Sequence, residues 1–296
     1  MNLFIDYLQY ERNYSIHTVN SYCNDLTQFA LFLEEKSAEE GETFGVDSID
    51  ADIVRQWMML LMEQSLSAAS VNRKLSSLQS FFKYLVSKQV ITKHPLKLVS
   101  GPKKPKPLPY FIKDKDINEI LDADDAVDGF EKVRNRLMVE MFYQTGIRCS
   151  ELVGIKDVDV DMNAMTIKVT GKRNKQRLIP FADRLKEMID GYINVRAREI
   201  GADSISFFVR KDGRSLSSYM VYYIVRKYLS GITTLSKRSP HVLRHTFATG
   251  MMNNGAEISA VRDLLGHSSL ASTSVYTHVT FEELKKVYNA HPRAKK

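Results

Sequence analysis

The sequence predicts a mainly α-helical protein of two domains, in which an N-terminal four-helix-type domain precedes an α+β domain with a small antiparallel sheet. Three observations support this prediction. The first hundred residues keep the apolar spacing of helices, a segment rich in proline and lysine follows, and one stretch beyond it alternates apolar and polar side chains. We place the N-terminal domain at residues 1–99, the linker at 100–110 and the second domain at 111–296. A chain of 296 residues is long enough for two cores.

Helical spacing in the N-terminal domain predicts helices over residues 16–35, 53–63 and 71–88. A capping side chain precedes each of them: Ser15, Asp50, and Ser67 or Ser70. The last helix turns these apolar residues towards a core: Leu75, Leu78, Phe81, Phe82 and Leu85. Its outer face is predicted to carry candidate phosphate contacts, with a solvated helix face as the alternative: Asn72, Arg73, Lys74 and Ser76.

Residues 100–110 contain four prolines and three lysines. Proline cannot continue a helix, so this segment is predicted to be extended and semi-rigid. We interpret it as a linker that wraps DNA, with Lys103 and Lys104 as candidate contacts. An ordinary surface connection is the alternative.

The second domain is predicted to mix helices with a short hairpin. Residues 165–170 alternate as a half-buried strand, residues 178–179 belong to the returning strand, and residues 171–176 form the turn. A further short strand is predicted at 207–209. Helices are predicted at 116–121, 131–144, 149–152, 185–200, 217–228, 241–253 and 257–265.

The charge is concentrated in the second part of the chain. Residues 1–105 hold 11 lysines and arginines against 12 aspartates and glutamates, whereas residues 106–296 hold 31 against 23. This distribution, within a net charge of +7, suggests a polyanionic partner, although a solvated surface is the simpler interpretation. Two cysteines give no disulfide framework, and the longest apolar run, residues 57–62, is too short to span a bilayer. We expect a cytoplasmic protein with no membrane partner.

Six side chains in the second domain have the chemistry needed around one phosphate: Arg148, Lys172, His241, Arg244, His267 and Tyr276. Arginines neutralise charge that develops on phosphorus, histidine and lysine transfer protons, and a phenol can attack phosphorus. Each has a simpler interpretation when it is considered alone; Arg148, for example, could pair with Glu151 on its own helix. Three basic residues of the hairpin are rival phosphate ligands to Lys172: Arg173, Lys175 and Arg177.

Two patterns that could indicate a metal are weak. His241 and His245 have zinc-ligand spacing, but the metalloprotease motif needs a glutamate directly after the first histidine, where this chain has Val242. An acidic cluster has no helical or strand context that would bring its carboxylates together: Asp122, Asp124, Asp125 and Asp128. We therefore predict that the protein uses neither a metal nor another cofactor.

The motifs that carry the six residues occur in a fixed order. T-G-I-R-C-S-E-L contains Arg148, G-K-R-N-K contains Lys172, and H-V-L-R-H-T-F-A-T contains His241 and Arg244. L-G-H-S-S and V-Y-T-H-V then supply His267 and Tyr276. In motifs and domain order, essentially the whole chain resembles the tyrosine recombinases of the phage integrase family, and within them the bacterial Xer type. Ile147 stands where leucine is usual, and Arg173 replaces a glycine, so Asn174 or Arg173 itself would adopt any positive φ in the turn.

The resemblance implies a function and a set of partners. The N-terminal domain would be a SAM-like core-binding domain and the second a catalytic domain, with Tyr276 forming a 3′-phosphotyrosine on double-stranded DNA. The tail of residues 280–296 would dock onto a neighbouring protomer in a homo- or hetero-tetramer formed with a paralogous recombinase. The Xer type further implies resolution of chromosome dimers at a dif-like site through a Holliday junction, with an FtsK-type translocase as a candidate activator.

Three alternatives remain open at this stage. A mobile-element integrase or excisionase uses the same chemistry, a type IB topoisomerase cleaves in the same way without synapsis, and a DNA-binding protein could have lost catalysis. The sequence alone does not name the DNA site, because most contacts expected here go to phosphates.

Overall fold

The computed structural model describes residues 1–41, 43–104, 111–122, 129–171, 174–201, 205–232, 235, 237–266, 287–288 and 291–293. The chain divides into two compact units, Met1–Pro107 and Leu108–Lys296. The first unit is helical and the second combines helices with a small sheet, which is the predicted fold class. In the described residues, no helix is both long and apolar enough to cross a membrane.

The N-terminal unit is built from helices with side-chain caps. Helix α1 (Asn2–Asp6) continues into a π-helical turn, and α2 (Ile16–Glu40), α3 (Ala51–Glu63) and α4 (Ala68–Ser87) follow. Ser15, Asp50 and Ser67 each accept a backbone N–H in the first turn of the following helix, as predicted. Helix α2 runs five residues beyond its predicted end and stops at Gly41, which has a φ of +69°.

The core of this unit forms where α2, α3 and α4 pack together. Trp57 and Phe29 meet edge to face with their ring centroids 5.0 Å apart, and Phe82 and Leu78 are fully buried. A polar network is buried beside this core. Asp25 of α2 accepts hydrogen bonds from three residues of α4: Arg73, Lys74 and Ser77.

The second unit is organised around a buried helix. Its helices are α5 (Asp114–Asp122), α6 (Phe130–Thr145), α7 (Cys149–Val153), α8 (Asp183–Glu199), α9 (Ser218–Tyr228), α10 (Pro240–Asn253) and α11 (Ile258–Leu265). Helix α6 packs against α8 and α10. Its residues from 137 to 145 are all buried, so the helix has no solvated face over that stretch.

The sheet contains three antiparallel strands in the order β1 (Val160–Asp161), β2 (Thr166–Thr170) and β3 (Gln176–Pro180). Strands β2 and β3 form the predicted hairpin, in which Val169 pairs with Arg177. Asn174 adopts a φ of +58° in the turn, one of the two solutions expected from the sequence. The predicted strand at 207–209 is wrong, because this buried segment makes isolated bridges and no regular ladder.

The described residues of the C-terminal tail pack on the second unit. Tyr288, His291 and Arg293 are at most 8% exposed. Tyr288 joins an apolar cluster formed by α10 and α11, and the His291 ring stacks on Phe247 at 5.6 Å. The described residues of the tail therefore pack against the second unit of their own chain. Docking of the tail onto a neighbouring protomer stays a prediction.

Candidate active site

The loop between α6 and α7 positions Arg148. Gly146 ends α6 with a φ of +60°, and Arg148 is the N-cap residue of α7. A Cβ on residue 146 would lie 2.5 Å from the Phe247 ring and 2.7 Å from Leu265. Glycine therefore allows this loop to approach α10 and the end of α11 closely, and it directs Arg148 towards the same place.

Glu151 is buried beneath Arg148. Its Oε2 accepts the backbone N–H of Arg148 at 2.9 Å, and its Oε1 accepts Nη1 of the same residue at 2.7 Å. Burial raises the pKa of Glu151, but hydrogen bonds from Arg177 and Arg148 outweigh this effect and lower it to about 2. The carboxylate is therefore charged at any physiological pH, and the pairing of Arg148 with Glu151, considered above as the simpler interpretation of Arg148, is present.

Arg177 reaches the same carboxylate from β3. Its Nη1 and Nη2 donate to the two oxygens of Glu151 at 2.7 and 2.9 Å, and its Nε donates to the Leu264 carbonyl at 2.9 Å. The side chain is 15% exposed. Arg177 is predicted from the sequence as a candidate DNA contact, and the structure shows its guanidinium bonded to Glu151 and Leu264.

Arg244 enters from the first half of α10. Its guanidinium donates to the carbonyl of Gly146 and, at 2.6 Å, to that of Leu265. Burial, followed by the charges of Arg148 and Arg177, lowers the pKa of Arg244 to about 10. Burial and the neighbouring arginines thus both disfavour the charged guanidinium, so an anion such as a phosphate would be stabilised beside it.

The C-terminal end of α11 connects the three arginines. Arg177 donates to the carbonyl of Leu264, Arg244 to that of Leu265, and Arg148 to that of Gly266 at 3.1 Å. The last carbonyls of a helix have no partner within the helix and carry a partial negative charge. Three guanidiniums from three different elements therefore converge on one helix end.

The other predicted site residues are described only in part. His241 is exposed on the first turn of α10, three residues before Arg244. Lys172, Arg173, His267 and Tyr276 lie outside the described residues. By sequence, Lys172 follows the end of β2 by two residues and His267 directly follows Gly266. The roles of these residues remain proposals.

The candidate DNA contacts of the N-terminal unit have different environments. Lys74 is buried and pairs with Asp25 at 3.0 Å, so its predicted position on the outer face is wrong. Arg73 also pairs with Asp25, yet half of its side chain remains exposed. Asn72 donates to the carbonyl of Pro102 at 2.8 Å and so holds the start of the linker against α4.

Three other lysines among the candidates are exposed: Lys103, Lys104 and Lys175. Within the described residues, no group of three or more histidine, cysteine, aspartate or glutamate side chains is arranged to hold a metal ion. Asp122, from the acidic cluster, pairs with Arg184 and Arg293, both at 2.9 Å. The remaining aspartates of that cluster, Asp124, Asp125 and Asp128, lie outside the described residues.

Sequence reasoning missed two features of this region. The first is the set of contacts that Arg177 makes with Glu151 and Leu264, which the other basic residues of the hairpin obscured. The second feature is the buried pair between Arg293 of the tail and Glu140 of α6. Helix α6 carries Glu140 in an otherwise apolar stretch, and a charge in such a position is a signal that it has a buried partner.

Comparison with known proteins assigns the two units, with the arginine cluster of the second, to a class of DNA strand-transferring enzymes. The family model "Phage integrase family" matches residues 110–283, and "Phage integrase, N-terminal SAM-like domain" matches residues 1–89. The chain therefore belongs to the phage integrase family, the tyrosine recombinases. This membership confirms the predicted family and its class of enzyme.

Individual relatives match nearly the whole chain. "Tyrosine recombinase XerC" of Chlorobaculum tepidum is 36% identical, over 98% of this chain and 94% of that protein. The protein of the same name from Staphylococcus carnosus is 37% identical, over 99% and 97%. Full-length similarity at this level makes site-specific tyrosine recombination the activity of this family member.

Solved structures show the same fold. XerH recombinase bound to palindromic difH substrate, in a post-cleavage complex, has a TM-score of 0.72 at 22% identity and covers 94% of this chain and 81% of that chain. A lambda integrase dimer bound to a COC′ core site has a TM-score of 0.67 at 18% identity, over 90% and 93%. At these identities the likeness supports the fold alone, and the neighbours share DNA as their bound partner.

Proposed function

We propose that this recombinase resolves chromosome dimers at a dif-like site, through 3′-phosphotyrosine intermediates and a Holliday junction. Its similarity to XerC proteins along its full length supports this role. The observation that carries the chemistry is the convergence of Arg148 and Arg244 on the end of α11. Two cations held side by side match two non-bridging oxygens of one phosphate.

In the proposed reaction, the arginines stabilise charge on phosphorus. The phenolic oxygen of Tyr276 forms a bond to phosphorus while the bond from phosphorus to the 5′-oxygen breaks. Arg148 and Arg244 hold the non-bridging oxygens, and burial in a site of low dielectric strengthens these interactions. The link that forms is a phosphodiester, so a 5′-hydroxyl of another strand can reverse the attack without a nucleotide cofactor.

The remaining residues transfer protons or orient the phosphate. His241 accepts the proton of the phenol, and Lys172 donates a proton to the departing 5′-oxygen. His267 donates a hydrogen bond to the same phosphate. No step in this scheme requires a metal ion.

The first test is a nicked suicide duplex that carries the target site. We expect the protein to form a covalent adduct in the presence of a metal chelator. Tyr276→Phe should bind the duplex with unchanged affinity and form no adduct, because phenylalanine has no nucleophilic oxygen. An adduct that persists in this variant would remove Tyr276 as the nucleophile.

The second test addresses the biological role. Covalent complexes trapped in cells and mapped on the genome should fall at one site opposite the replication origin. Cleavage at the ends of a mobile element would instead support an integrase, and supercoil relaxation without strand exchange would support a topoisomerase. Reactions with and without a paralogous recombinase and an FtsK-type translocase identify the partners that the protein requires.

We also propose that the protein works as a tetramer on DNA in which the tail contacts are exchanged. Tyr288, His291 and Arg293 fill a site on α6 and α10 in the single chain. The same contacts made to a neighbouring copy would cost little additional free energy, since the side chains and their partners are identical.

A further inference from the structure

Arg177 uses its guanidinium in a way that differs from an exposed phosphate contact. Nε, Nη1 and Nη2 all donate to protein oxygens, namely the Leu264 carbonyl and the two oxygens of Glu151. A two-point pair of this kind depends on the planar fork of arginine, which lysine cannot reproduce. The side chain is thus already bound on three of its nitrogen atoms.

Glu151 extends this contact to Arg148. One oxygen, Oε1, lies 2.7 Å from Nη1 of both arginines, and the other accepts the backbone N–H of Arg148. The glutamate side chain is 1% exposed, so water cannot replace either partner. Arg177 therefore fixes the carboxylate that fixes both the backbone and the guanidinium of Arg148.

The same side chain contacts the end of α11. Gly266 has a φ of +64°, and a Cβ there would lie 3.1 Å from Nη1 of Arg177. Arg177 is also on the hairpin that carries Lys172, five residues further along the chain. One guanidinium thus connects the hairpin, the loop of Arg148 and the helix end that precedes His267.

We propose that Arg177 is a positioning residue of the strand-transfer reaction, which acts through Glu151 and the Leu264 carbonyl and does not contact DNA. The proposal rests on the function proposed above. In this role Arg177 keeps Arg148 aligned with Lys172, which follows β2 in the sequence, and with His267, which follows α11. Its loss is expected to lower the rate of cleavage and to leave the affinity for DNA unchanged.

The test compares Arg177→Met and Arg177→Lys in the full-length protein on the nicked suicide duplex. We expect both variants to form the covalent adduct about 100-fold more slowly, because small displacements of a reacting group have effects of this size. The dissociation constant for the same duplex should change by less than about threefold. Lysine should not restore the rate, although it keeps the charge and supports folding.

A phosphate contact predicts the opposite pattern. Arg177→Met would then weaken binding, the slope of log affinity against log salt would fall by about 1, and Arg177→Lys would restore most of the affinity. Any of these three results would overturn the proposal. Lys168→Met is the matched control, since Lys168 lies on the neighbouring strand and pairs with Asp159 at the surface. This control should cleave at the rate of the unmodified protein.

The pH profile separates positioning from a general loss of stability. Among the described residues, the charged groups that face Glu151 are Arg148, Arg177 and Arg244, and Arg177 makes the largest contribution that lowers its pKa. Arg177→Met should therefore raise the pKa of Glu151. In this variant the rate of adduct formation should then fall at low pH, where Glu151 becomes protonated. The double variant Glu151→Gln/Arg177→Met has no carboxylate to protonate, so this additional acid limb should disappear.

The two proposals fail in different ways. If the unmodified protein forms no adduct, the proposed function is overturned together with this inference. If the unmodified protein forms adduct and Arg177→Met does so within about threefold of its rate, only the inference is overturned. An acid limb that persists unchanged in the double variant would also overturn it.

Discussion

Asp25 and Lys74 form a buried ion pair in the N-terminal unit, with the ammonium 3.0 Å from the carboxylate and both side chains at most 6% exposed. Ser77 donates to the same carboxylate at 2.7 Å, and Gln28 accepts from Lys74. The pair joins α2 to α4 across 49 residues of sequence. Its members are therefore expected to affect folding more than they affect contact with DNA.

Asp25→Ala should destabilise this unit by about 3–5 kcal/mol, because it leaves the Lys74 ammonium buried without its counter-ion. The only tryptophan of the chain, Trp57, lies in the same core, so its fluorescence during urea unfolding reports on this unit. Asp52→Ala is the control. Asp52 forms an exposed pair with Arg55, and its loss should cost no more than about 1 kcal/mol. Equal costs for the two variants would contradict the buried role of Asp25.

Gly146→Ala is predicted to damage both stability and catalysis. The added methyl group would overlap the Phe247 ring and Leu265, so the end of α6 and the Arg148 loop must shift. We expect a loss of about 1–3 kcal/mol from overpacking, in addition to the strain of a positive φ. Gly255→Ala is the matched control, since Gly255 also has a positive φ but has open space around it. Gly146→Ala should unfold at a lower temperature than Gly255→Ala and should form the covalent adduct more slowly.

The buried histidine of the tail predicts a dependence on pH. Burial, followed by the charge of Arg293, lowers the pKa of His291 to about 4 from an ordinary value of 6.5. The folded state thus binds this proton more weakly than the unfolded state, and the stabilisation from docking is complete above pH 6.5. It should be lost progressively as the pH falls from 6.5 towards 4.

Nuclear magnetic resonance titration of the histidine ring protons measures this effect directly. The resonance that disappears in His291→Gln should titrate well below 6.5 in the unmodified protein. The thermal stability of His291→Gln should fall less on acidification than that of the unmodified protein. A normal titration of His291 would show that the tail does not remain docked in solution.

Arg293→Ala is predicted to release the tail. Arg293 pairs with the buried Glu140, and its Nε donates to Asn118 at 2.7 Å. Removing the cation leaves the Glu140 carboxylate with only weaker partners, at a cost of about 3–5 kcal/mol. If copies exchange their tails on DNA, the variant should bind a single site normally and fail to form the higher complex in gel-shift or sedimentation experiments. Arg198→Ala, which removes an exposed arginine, should assemble normally.

Local signals allowed much of the fold to be predicted from the sequence. Ser15, Asp50 and Ser67 cap helices because their side chains accept N–H groups only two or three residues away. Gly146 and Gly266 end helices by adopting the left-handed conformation that glycine allows. In each case the interacting groups are neighbours in sequence, so the pattern alone specifies the structure.

Features that depend on distant partners were not predictable in the same way. Lys74 occupies a position that helical spacing assigns to the outer face, and only the presence of Asp25 on another helix explains its burial. Arg177 likewise resembled its exposed neighbours until its contacts with Glu151 and Leu264 were known. Residues 207–209 have strand-like composition, but they pack as an irregular buried segment, and in the described part of the chain they neighbour isolated bridges and no regular strand.

The three successive carbonyl acceptors of Leu264, Leu265 and Gly266 limit where residues can be inserted into or deleted from this chain. An insertion or deletion of one residue within α11 would translate its last carbonyls by about 1.5 Å and rotate them by about 100°. Arg177, Arg244 and Arg148 would then lose their acceptors simultaneously. We therefore expect related chains to tolerate gaps in surface loops, and to keep the number of residues between Arg244 and Gly266 unchanged.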